Sequence, residues 1–339
     1  MQASSCEGAM TMRLLILGGT RFLGRHIAEQ ALAAGHELTL LHRGRSGADL
    51  FPQARHLLAD RNTDLSALDG GSWDAVIDTC GYFPRQVKAA GDALRGRVGR
   101  YLFVSSISVY AGFAAGQDED APLATLPDPT VEAVTGETYG GLKALCERAM
   151  FDALPGHAVV ARPGLIVGPH DPSGRFGYWP ERIAEGGDVL APGDPQAPVQ
   201  FIDARDLAAW LLKQAADGSI GTYNLTGPLQ RLTMAGLLNR ARAVFNPTAR
   251  LHWADEEFLR TRGVEPWSDL PVWVGREESG LHEIRIDRAL ATGLACRPLE
   301  DTLRDTLDWL RTTPTAARSG LAREREAALL AEWRQRGAG

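Results

Sequence analysis

Cysteine is scarce in this chain of 339 residues, and lysine is scarcer still. The four cysteines, Cys6, Cys80, Cys146 and Cys296, contain no Cys-x-x-Cys pair, so the sequence predicts neither a disulfide framework nor a metal site. No run approaches the roughly 20 apolar residues that a membrane-spanning helix needs. The amino terminus lacks the basic and apolar segments of a signal peptide. We therefore expect a loose tail over residues 1–12, with Met12 as an alternative start, in a cytoplasmic protein.

A surplus of basic residues is also lacking. Acidic residues outnumber basic ones by 42 to 36, and the net charge of −6 disfavours binding to bare nucleic acid. Apolar residues make up 44% of the chain and charged residues 23%, which excludes wholesale disorder. The length suits two domains, or one large α/β domain with a smaller partner. We expect a small-molecule substrate and no membrane partner.

Short apolar runs alternate with helical patterns in the first half of the chain. This order is typical of an α/β, Rossmann-type doubly wound parallel sheet. The dinucleotide-binding core is predicted at 13–165, rejoined by about 201–228. A smaller C-terminal substrate-binding α+β region is predicted at 166–200 and 229–313, and a solvated C-terminal helix at 314–339. The predicted strands are 13–17, 37–41, 56–59, 75–78, 101–104 and 158–161, and the main helices are 22–34, 85–94 and 139–154.

A glycine-rich turn separates the first predicted strand from the first helix. Glycines let backbone N–H groups approach a pyrophosphate, and a helix N-terminus adds positive partial charge. This context predicts a dinucleotide-binding turn. Its residues are Gly18, Gly19, Thr20, Arg21, Phe22, Leu23 and Gly24.

The end of the second strand carries basic residues where an NAD-specific protein usually places an acid. His42, Arg43 and Arg45 stand there, about 20 residues after the turn. With Arg21, these side chains could bind a 2′-phosphate on the adenosine ribose. The pattern favours NADP(H) and leaves NAD(H) open.

Two further segments follow the third and fourth strands. Asp60 and Arg61 are predicted to contact adenine. Thr79, Cys80 and Gly81 are predicted to run beneath the ribose and pyrophosphate, because the carboxyl ends of parallel strands share one edge of a sheet.

Tyr139 and Lys143 form a Tyr-x-x-x-Lys pair on a predicted helix. Residues i and i+4 share a helix face, so the ammonium lies near the phenol. A nearby positive charge favours phenolate and fits the tyrosine for proton transfer. The chain has only three lysines, Lys88, Lys143 and Lys213, and keeps one of them at this position.

A serine at the end of the fifth strand completes the predicted set. Ser105 and Ser106 both fit, since a serine there reaches the crevice in which open α/β sheets bind ligands. Its hydroxyl would hold the substrate oxygen beside the tyrosine.

These motifs resemble the extended short-chain dehydrogenase/reductase superfamily of the NAD-dependent epimerase/dehydratase type. The resemblance covers most of residues 13–310 and implies that Ser106 is catalytic with Tyr139 and Lys143, while Ser105 belongs to the cofactor site. It also implies that Arg162, Pro163 and Gly164 pass the nicotinamide. Arg21 replaces the middle glycine of that superfamily's turn, as in a subgroup that includes isoflavone-reductase-like bacterial proteins and chloroplast stem-loop RNA-binding proteins. The segments that carry the resemblance are GGTRFLG at 18–24, VSSISVY at 104–110, YGGLK at 139–143, ARPGLIVGP at 161–169, FIDARDLA at 201–208 and TYNLTG at 222–227.

The substrate site is predicted from polar and aromatic residues near the same crevice. Tyr82 and Tyr110 follow the fourth and fifth strands, and His170, Tyr178 and Trp179 lie in the glycine- and proline-rich region that follows the sixth strand. An aromatic lining would favour a ring-containing substrate over a nucleotide sugar.

Three functions remain open. The first is an NADP(H)-dependent reductase or dehydrogenase for a carbonyl/alcohol pair on a small, ring-containing metabolite, in secondary metabolism. The second is an NAD(P)-retaining epimerase or dehydratase acting on a nucleotide sugar; dehydration is disfavoured because Ile107 and Ser108 stand where an acidic pair would be needed. The third is a non-catalytic RNA-binding or sensor protein. Resemblance to relatives that pair through a helix bundle also suggests a homodimer.

Overall fold

A computed structural model describes residues 11–217 and 220–336. The predicted tail therefore lies outside the described residues except for Thr11 and Met12. Two compact units are present. The first comprises the described residues of Met1–Ser105, Asp128–Ala161 and Ala208–Gly221, and the second those of Ser106–Pro127, Arg162–Leu207 and Thr222–Gly339. Residues 106–127, which the sequence predicts within the dinucleotide-binding core, thus belong to the second unit.

Strands and helices alternate along the first half of the chain, and the second half is richer in short elements. In chain order they are β1 (Arg13–Leu17), α1 (Phe22–Ala33), β2 (Glu37–His42), β3 (Arg55–Leu58), β4 (Trp73–Asp78), α2 (Pro84–Leu94), β5 (Val98–Val104), α3 (Tyr139–Ala153), β6 (Ala158–Pro163), β7 (Ile166–Val167), α4 (Tyr178–Glu185), β8 (Asp188–Pro192), β9 (Pro198–Asp203), α5 (Ala204–Asp217), β10 (Gly221–Leu225), β11 (Gly227–Thr233), α6 (Met234–Phe245), β12 (Arg250–Ala254), α7 (Glu256–Thr261), α8 (Asp287–Ala291), α9 (Leu299–Thr312) and α10 (Arg323–Arg336).

Seven strands form the central sheet in the order β10-β6-β5-β4-β1-β2-β3. The pairings from β6 to β3 are parallel, with Leu17 opposite Leu41 on one side and Asp78 on the other. The strand order reverses beside β1, and ligands of open α/β sheets bind outside the carboxyl ends of strands at such a point. The predicted Rossmann-type fold is confirmed.

The buried character of the strands explains why the sequence folds this way. Leu14, Leu15, Ile16 and Leu17 have no exposed surface, as expected for a parallel strand covered on both faces. Helices α2 and α3 pack against each other; a Cβ at Gly91 would lie 2.6 Å from the Cβ of Ala153. This packing fixes α3, and with it the predicted Tyr-x-x-x-Lys pair, within the first unit.

The second unit has a core of its own. Its sheets are a three-stranded one in the order β11-β9-β7 and a two-stranded parallel pair of β12 and β8. Phe176, Trp179 and Phe258 are fully buried among the aliphatic residues of this core.

The C-terminal helix α10 is held more firmly than the prediction of a solvated helix implies. The buried carboxylate of Glu326 accepts hydrogen bonds from the Nε of Arg182 at 2.5 Å and from the backbone N–H of Leu190 at 2.9 Å. Leu329 and Leu330 beside it are also buried. The helix therefore contributes to the core of the second unit.

Across 11–217 and 220–336, none of the helices has the length and apolar character to span a bilayer. In the same part of the chain, no group of three or more His, Cys, Asp or Glu side chains is arranged to hold a metal ion.

Candidate active site

The glycine turn after β1 has the geometry that a dinucleotide cradle requires. Gly18 and Gly19 have φ angles of 109° and 93°, a region that side chains rarely occupy. A Cβ at Gly24 would lie 2.6 Å from the backbone nitrogen of Gly19, and one at Gly18 would overlap the hydroxyl of Thr79. Only glycine fits these positions, and α1 begins within the turn, at Phe22, with no side-chain cap from Arg21. The turn therefore fits a pyrophosphate at a helix N-terminus.

The arginines of the loop after β2 are exposed, whereas the histidine that ends β2 is buried. Arg43 and Arg45 are exposed, and both help to lower the pKa of Asp60, although that carboxylate's hydrogen bonds to Asn62 contribute more. His42 is buried instead, with one ring nitrogen 2.8 Å from His56 and the other accepting from a backbone N–H. The predicted direct contact of His42 with a 2′-phosphate is therefore corrected.

Arg61 also has a different position from the one predicted. Its guanidinium donates to both carboxylate oxygens of Asp78, at 2.6 and 2.9 Å, and to the carbonyl of Gln86 at 3.0 Å. Tyr101 donates to the same carboxylate at 2.6 Å. Burial opposes ionisation of Asp78, but Arg61 outweighs it and lowers the pKa of that group. The Arg61 side chain thus belongs to a buried ion pair and not to the predicted adenine contact, whereas the predicted contact of Asp60 stays a prediction.

Thr79, Cys80 and Gly81 follow β4 and lie against the glycine turn and β5. The hydroxyl of Thr79 donates to the carbonyl of Leu17 at 3.0 Å. A Cβ at Gly81 would lie 2.7 Å from the ring of Phe103, so this position also requires glycine. Burial raises the pKa of the Cys80 thiol. These residues shape the edge of the sheet and remain proposed cofactor contacts.

Lys143 is the most unusual group of the first unit. Its buried ammonium donates to the carbonyls of Gly81 at 2.9 Å and Val104 at 2.7 Å, and lies 4.3 Å from the ring centre of Phe103. Burial lowers its pKa to about 8. An ammonium has three N–H donors, and these carbonyls account for two. The carbonyls come from the ends of β4 and β5, so Lys143 lies at the edge where the sheet is expected to bind its ligand.

Tyr139 begins α3, one helical turn before Lys143. Its backbone N–H donates to Thr135 at 3.0 Å, within a turn that Thr138 closes by accepting from the N–H of Thr135 at 2.9 Å. The side chain is half-buried. The i, i+4 spacing places Tyr139 and Lys143 on one face of α3.

The two candidate serines differ in their hydrogen bonds. Ser105, in the first unit, is buried, and its hydroxyl has no partner among the described residues. Ser106, in the second unit, caps a short 3-10 helix over Ile107–Val109 by accepting from the N–H of Ser108 at 3.1 Å. It also donates to the hydroxyl of Ser108 at 3.0 Å. Neither arrangement tests which serine is catalytic.

Tyr82 is the predicted substrate residue with the most exposed side chain. It is 44% exposed, and its ring centre lies 5.6 Å from the Lys143 ammonium. Burial raises the pKa of Tyr82, and Arg21 acts in the opposite direction. Tyr82 is therefore close to both the lysine and the glycine turn of the first unit.

Arg162 and Tyr110 form a buried network in the second unit. The guanidinium of Arg162 donates to the hydroxyl of Tyr110 at 3.2 Å and to the carbonyl of Glu119 at 3.0 Å. Tyr110 donates in turn to Asn224 at 2.6 Å. Because its hydroxyl is used in this way, Tyr110 is corrected from a substrate contact to a structural residue.

Pro163 and Gly164 lie where β6 ends. The N–H of Gly164 donates to Leu225 at 3.0 Å, and a Cβ there would lie 2.7 Å from the hydroxyl of Thr226. The tight packing explains why glycine follows Pro163. Their predicted contact with nicotinamide stays a prediction.

Two more predicted substrate residues lie in the core of the second unit. Tyr178 is 3% exposed and Trp179 is fully buried, with its indole N–H donating to the carbonyl of Pro271 at 2.6 Å. They are corrected to core residues. His170 adopts a left-handed φ of 68° and packs edge-on against Trp309 at 5.4 Å.

Two residues near the candidate site were not predicted from the sequence. Asp78 ends a strand whose other buried residues are apolar, which is a signal that a buried charge needs a partner. His56 lies two residues before the end of β3, on the strand that pairs with the end of β2. Hydrophobic patterning identifies neither residue, because their partners are distant in the sequence.

Residues 85–225 match the profile of the family described as the NAD dependent epimerase/dehydratase family. The matched segment includes Ser106, Tyr139 and Lys143. The match spans less than half of the chain and agrees with the superfamily expected from the motifs and with the prediction of an NAD(P)-dependent enzyme of the extended short-chain dehydrogenase type. The match does not distinguish the expected subgroup.

Two curated proteins resemble parts of the chain. The chloroplast stem-loop binding protein of 41 kDa b from Arabidopsis thaliana is 32% identical over 114 residues, 29% of this chain and 30% of that protein. The bifunctional pinoresinol-lariciresinol reductase of Forsythia intermedia is 35% identical over 65 residues, 16% of this chain and 21% of that protein. The chain thus matches less than a third of the length of either relative.

Solved structures resemble nearly the whole chain. UDP-glucuronic acid 4-epimerase from Bacillus cereus, determined with NAD, has a TM-score of 0.64 and 15% identity over 89% of this chain and 99% of its own. At this identity the likeness shows the fold alone.

Proposed function

We propose that this protein is an NADP(H)-dependent oxidoreductase that interconverts a carbonyl and an alcohol on a small, ring-containing metabolite. The observation that carries the proposal is the buried Lys143 ammonium, which joins the ends of β4 and β5 and lies one helical turn from Tyr139. A buried charge costs stability, so a structure that keeps one at a ligand-binding edge favours a chemical role for it.

Tyr139, Lys143 and Ser106 have different roles in the proposed reaction. When bound, a nicotinamide dinucleotide supplies hydride exchange. Tyr139 donates a proton to the substrate oxygen during reduction, or accepts it during oxidation. Lys143 stabilises the phenolate and offers its third N–H to a ribose hydroxyl. Ser106, by its place in the family's motif, holds the substrate oxygen through its hydroxyl.

The preference for NADP(H) rests on charge. Arg21, Arg43 and Arg45 are exposed on two loops that follow neighbouring strands. Guanidinium groups suit a phosphate because they donate in a fixed, bidentate geometry. The end of β2, where an NAD-specific protein usually places an acid for the 2′-hydroxyl, carries His42, Arg43 and Arg45 instead.

Two observations support the substrate class. Tyr82 offers an exposed ring near Lys143, which suits an aromatic or cyclic ligand. One curated relative is named a pinoresinol-lariciresinol reductase, and the likeness to it covers 65 residues. With Tyr178 and Trp179 in the core, the aromatic lining is smaller than the sequence suggested.

Cofactor exchange tests the proposal against its main alternative. The purified protein is dialysed, its absorbance is recorded, and NADPH is then added with a panel of cyclic and aromatic ketones and aldehydes. We expect exchangeable NADPH that is consumed with at least one carbonyl compound. A dinucleotide that survives dialysis, with no net consumption, would favour the alternative.

That alternative is a cofactor-retaining epimerase acting on a nucleotide sugar. It is favoured by the family match and by neighbours such as the UDP-glucuronic acid 4-epimerase. Incubation with UDP-sugars and analysis of the sugar by NMR would detect C4 inversion directly. A non-catalytic RNA-binding role has only the partial likeness to the stem-loop binding protein, and a net charge of −6 opposes it.

A further inference from the structure

His42 and His56 form a hydrogen-bonded relay whose protons can be assigned. The backbone N–H of Gly44 donates to Nδ1 of His42 at 3.0 Å, so that nitrogen carries no proton. The neutral ring is then protonated on Nε2, which lies 2.8 Å from Nδ1 of His56 and donates to it. By the same reasoning, Nε2 of His56 donates to the carbonyl of Phe51 at 3.1 Å.

Burial agrees with this assignment. His42 is 7% exposed, and burial, followed by the neighbouring His56, lowers its pKa. The two rings meet edge to face with centroids 5.1 Å apart. Each ring therefore has one fixed tautomer, which its hydrogen bonds determine.

The relay joins the two ends of the loop between β2 and β3. Gly44 opens this loop and Phe51 lies near its end; both have left-handed φ angles, of 70° and 61°. Between them, a Cβ at Gly47 would lie 3.1 Å from the carbonyl of Thr20. The loop therefore packs against the glycine turn, and its two histidine anchors fix the backbone that bears Arg43 and Arg45.

We propose that His42 and His56 are positioning residues that set the preference for a 2′-phosphorylated dinucleotide by holding Arg43 and Arg45 beside the glycine turn. This inference rests on the proposed use of NADP(H). His42 acts through the backbone of the loop, because both of its ring nitrogens are engaged within the protein. The ligand chemistry is a phosphomonoester on the adenosine ribose, which NADPH has and NADH lacks.

Calorimetric titration with NADPH and with NADH tests the relay. His56→Phe keeps a ring but removes both of its hydrogen bonds, and we expect it to raise the Kd for NADPH at least fivefold, the factor that corresponds to about one hydrogen bond. The Kd for NADH should change less than twofold, since that ligand has no 2′-phosphate for Arg43 and Arg45 to bind. His157→Phe is the matched control: His157 bonds to Gly99 before β6, away from this loop, and its replacement should change neither Kd.

A variant that lacks both arginines shows whether His56 acts through Arg43 and Arg45. In the Arg43→Ala/Arg45→Ala protein, we expect His56→Phe to have no further effect on the Kd for NADPH. If His56→Phe does not fold, His56→Gln replaces it, and ¹⁵N NMR of labelled histidine in the wild type should show two neutral Nε2–H tautomers at pH 7.

The outcomes separate the inference from the proposed function. A wild type that binds neither dinucleotide, or prefers NADH, overturns the proposed cofactor and this inference with it. A wild type that prefers NADPH, with variants that keep the preference, overturns this inference alone. Equal weakening of NADPH and NADH, or a charged histidine in the NMR spectrum, would also contradict it.

Discussion

Replacement of Lys143 by methionine should change how the protein's stability depends on pH. Burial lowers the pKa of Lys143 from 10.5 to about 8. This lowering by about 2.5 corresponds to roughly 3 kcal/mol, the free energy by which the fold disfavours the charged lysine. Below pH 8 the folded protein bears this cost in full, because the lysine is charged in both folded and unfolded states.

The sign follows from proton binding. Between about pH 8 and 10.5 the unfolded chain keeps the proton on Lys143 and the folded protein does not, so the free energy of unfolding rises with pH. Lys143→Met has no such group. The difference in unfolding free energy, wild type minus variant, should therefore increase by about 3 kcal/mol across this window.

Urea unfolding of both proteins at pH 7.5, 9 and 10.5 measures this difference. Because the two proteins share all other titratable groups, the contributions of those groups cancel in the difference. Lys88→Met is a matched control, because Lys88 is exposed and paired only with Asp92 on the same helix. Its effect should stay below about 1 kcal/mol throughout. A wild-type minus Lys143→Met difference that is constant within about 1 kcal/mol would refute the buried, charged lysine on which the proposed mechanism depends.

Three further predictions concern other parts of the chain. Ser106→Ala should lower kcat at least about tenfold in steady-state kinetics and leave the Kd for NADPH unchanged in calorimetry. Ser105→Ala should instead weaken cofactor binding. The reverse pattern would exchange the roles of the two serines. Glu326→Leu leaves the Arg182 guanidinium without its buried partner and should cost about 3–5 kcal/mol in urea unfolding, and a loss below about 1 kcal/mol would contradict that account. Gly24→Ala places a Cβ 2.6 Å from a backbone nitrogen of the same turn and should abolish dinucleotide binding measured by fluorescence, so intact binding would exclude this turn as the cradle.

Matched controls exist for two of these variants. Glu324→Leu changes an exposed carboxylate on the same helix as Glu326 and should leave stability within about 0.5 kcal/mol. Gly112→Ala adds a methyl group to open space and should leave dinucleotide binding unchanged.

The regular elements of the first unit could be predicted because they are local patterns. β1 is a continuous apolar run that ends at two glycines, and its predicted bounds agree with Arg13–Leu17. Helix α3 was predicted at 139–154 and is observed at Tyr139–Ala153. In such segments, residues close in the sequence determine both the conformation and the buried face.

The roles of individual polar side chains were harder to predict, because their partners are distant in the sequence. Arg61 pairs with Asp78, 17 residues away, and Arg182 with Glu326, 144 residues away. Near the turn, Arg61 and His42 look like cofactor ligands from sequence position alone. Their buried partners give them structural roles instead.

Aromatic residues posed a related difficulty. Tyr178 and Trp179 lie in a glycine- and proline-rich region, which is typical of a binding site, yet they begin α4 and fill the core of the second unit. Tyr82, in a comparable loop after β4, is exposed. The difference depends on which surface each helix or loop packs against, and that information is not local.

The most direct test of the central claim is a single-turnover experiment with NADPH and a reactive carbonyl compound, comparing the wild type with Tyr139→Phe. We predict that both proteins bind NADPH with similar affinity and that only the wild type consumes it. Equal rates of consumption by the two proteins, or absence of dinucleotide binding to the wild type, would contradict the account.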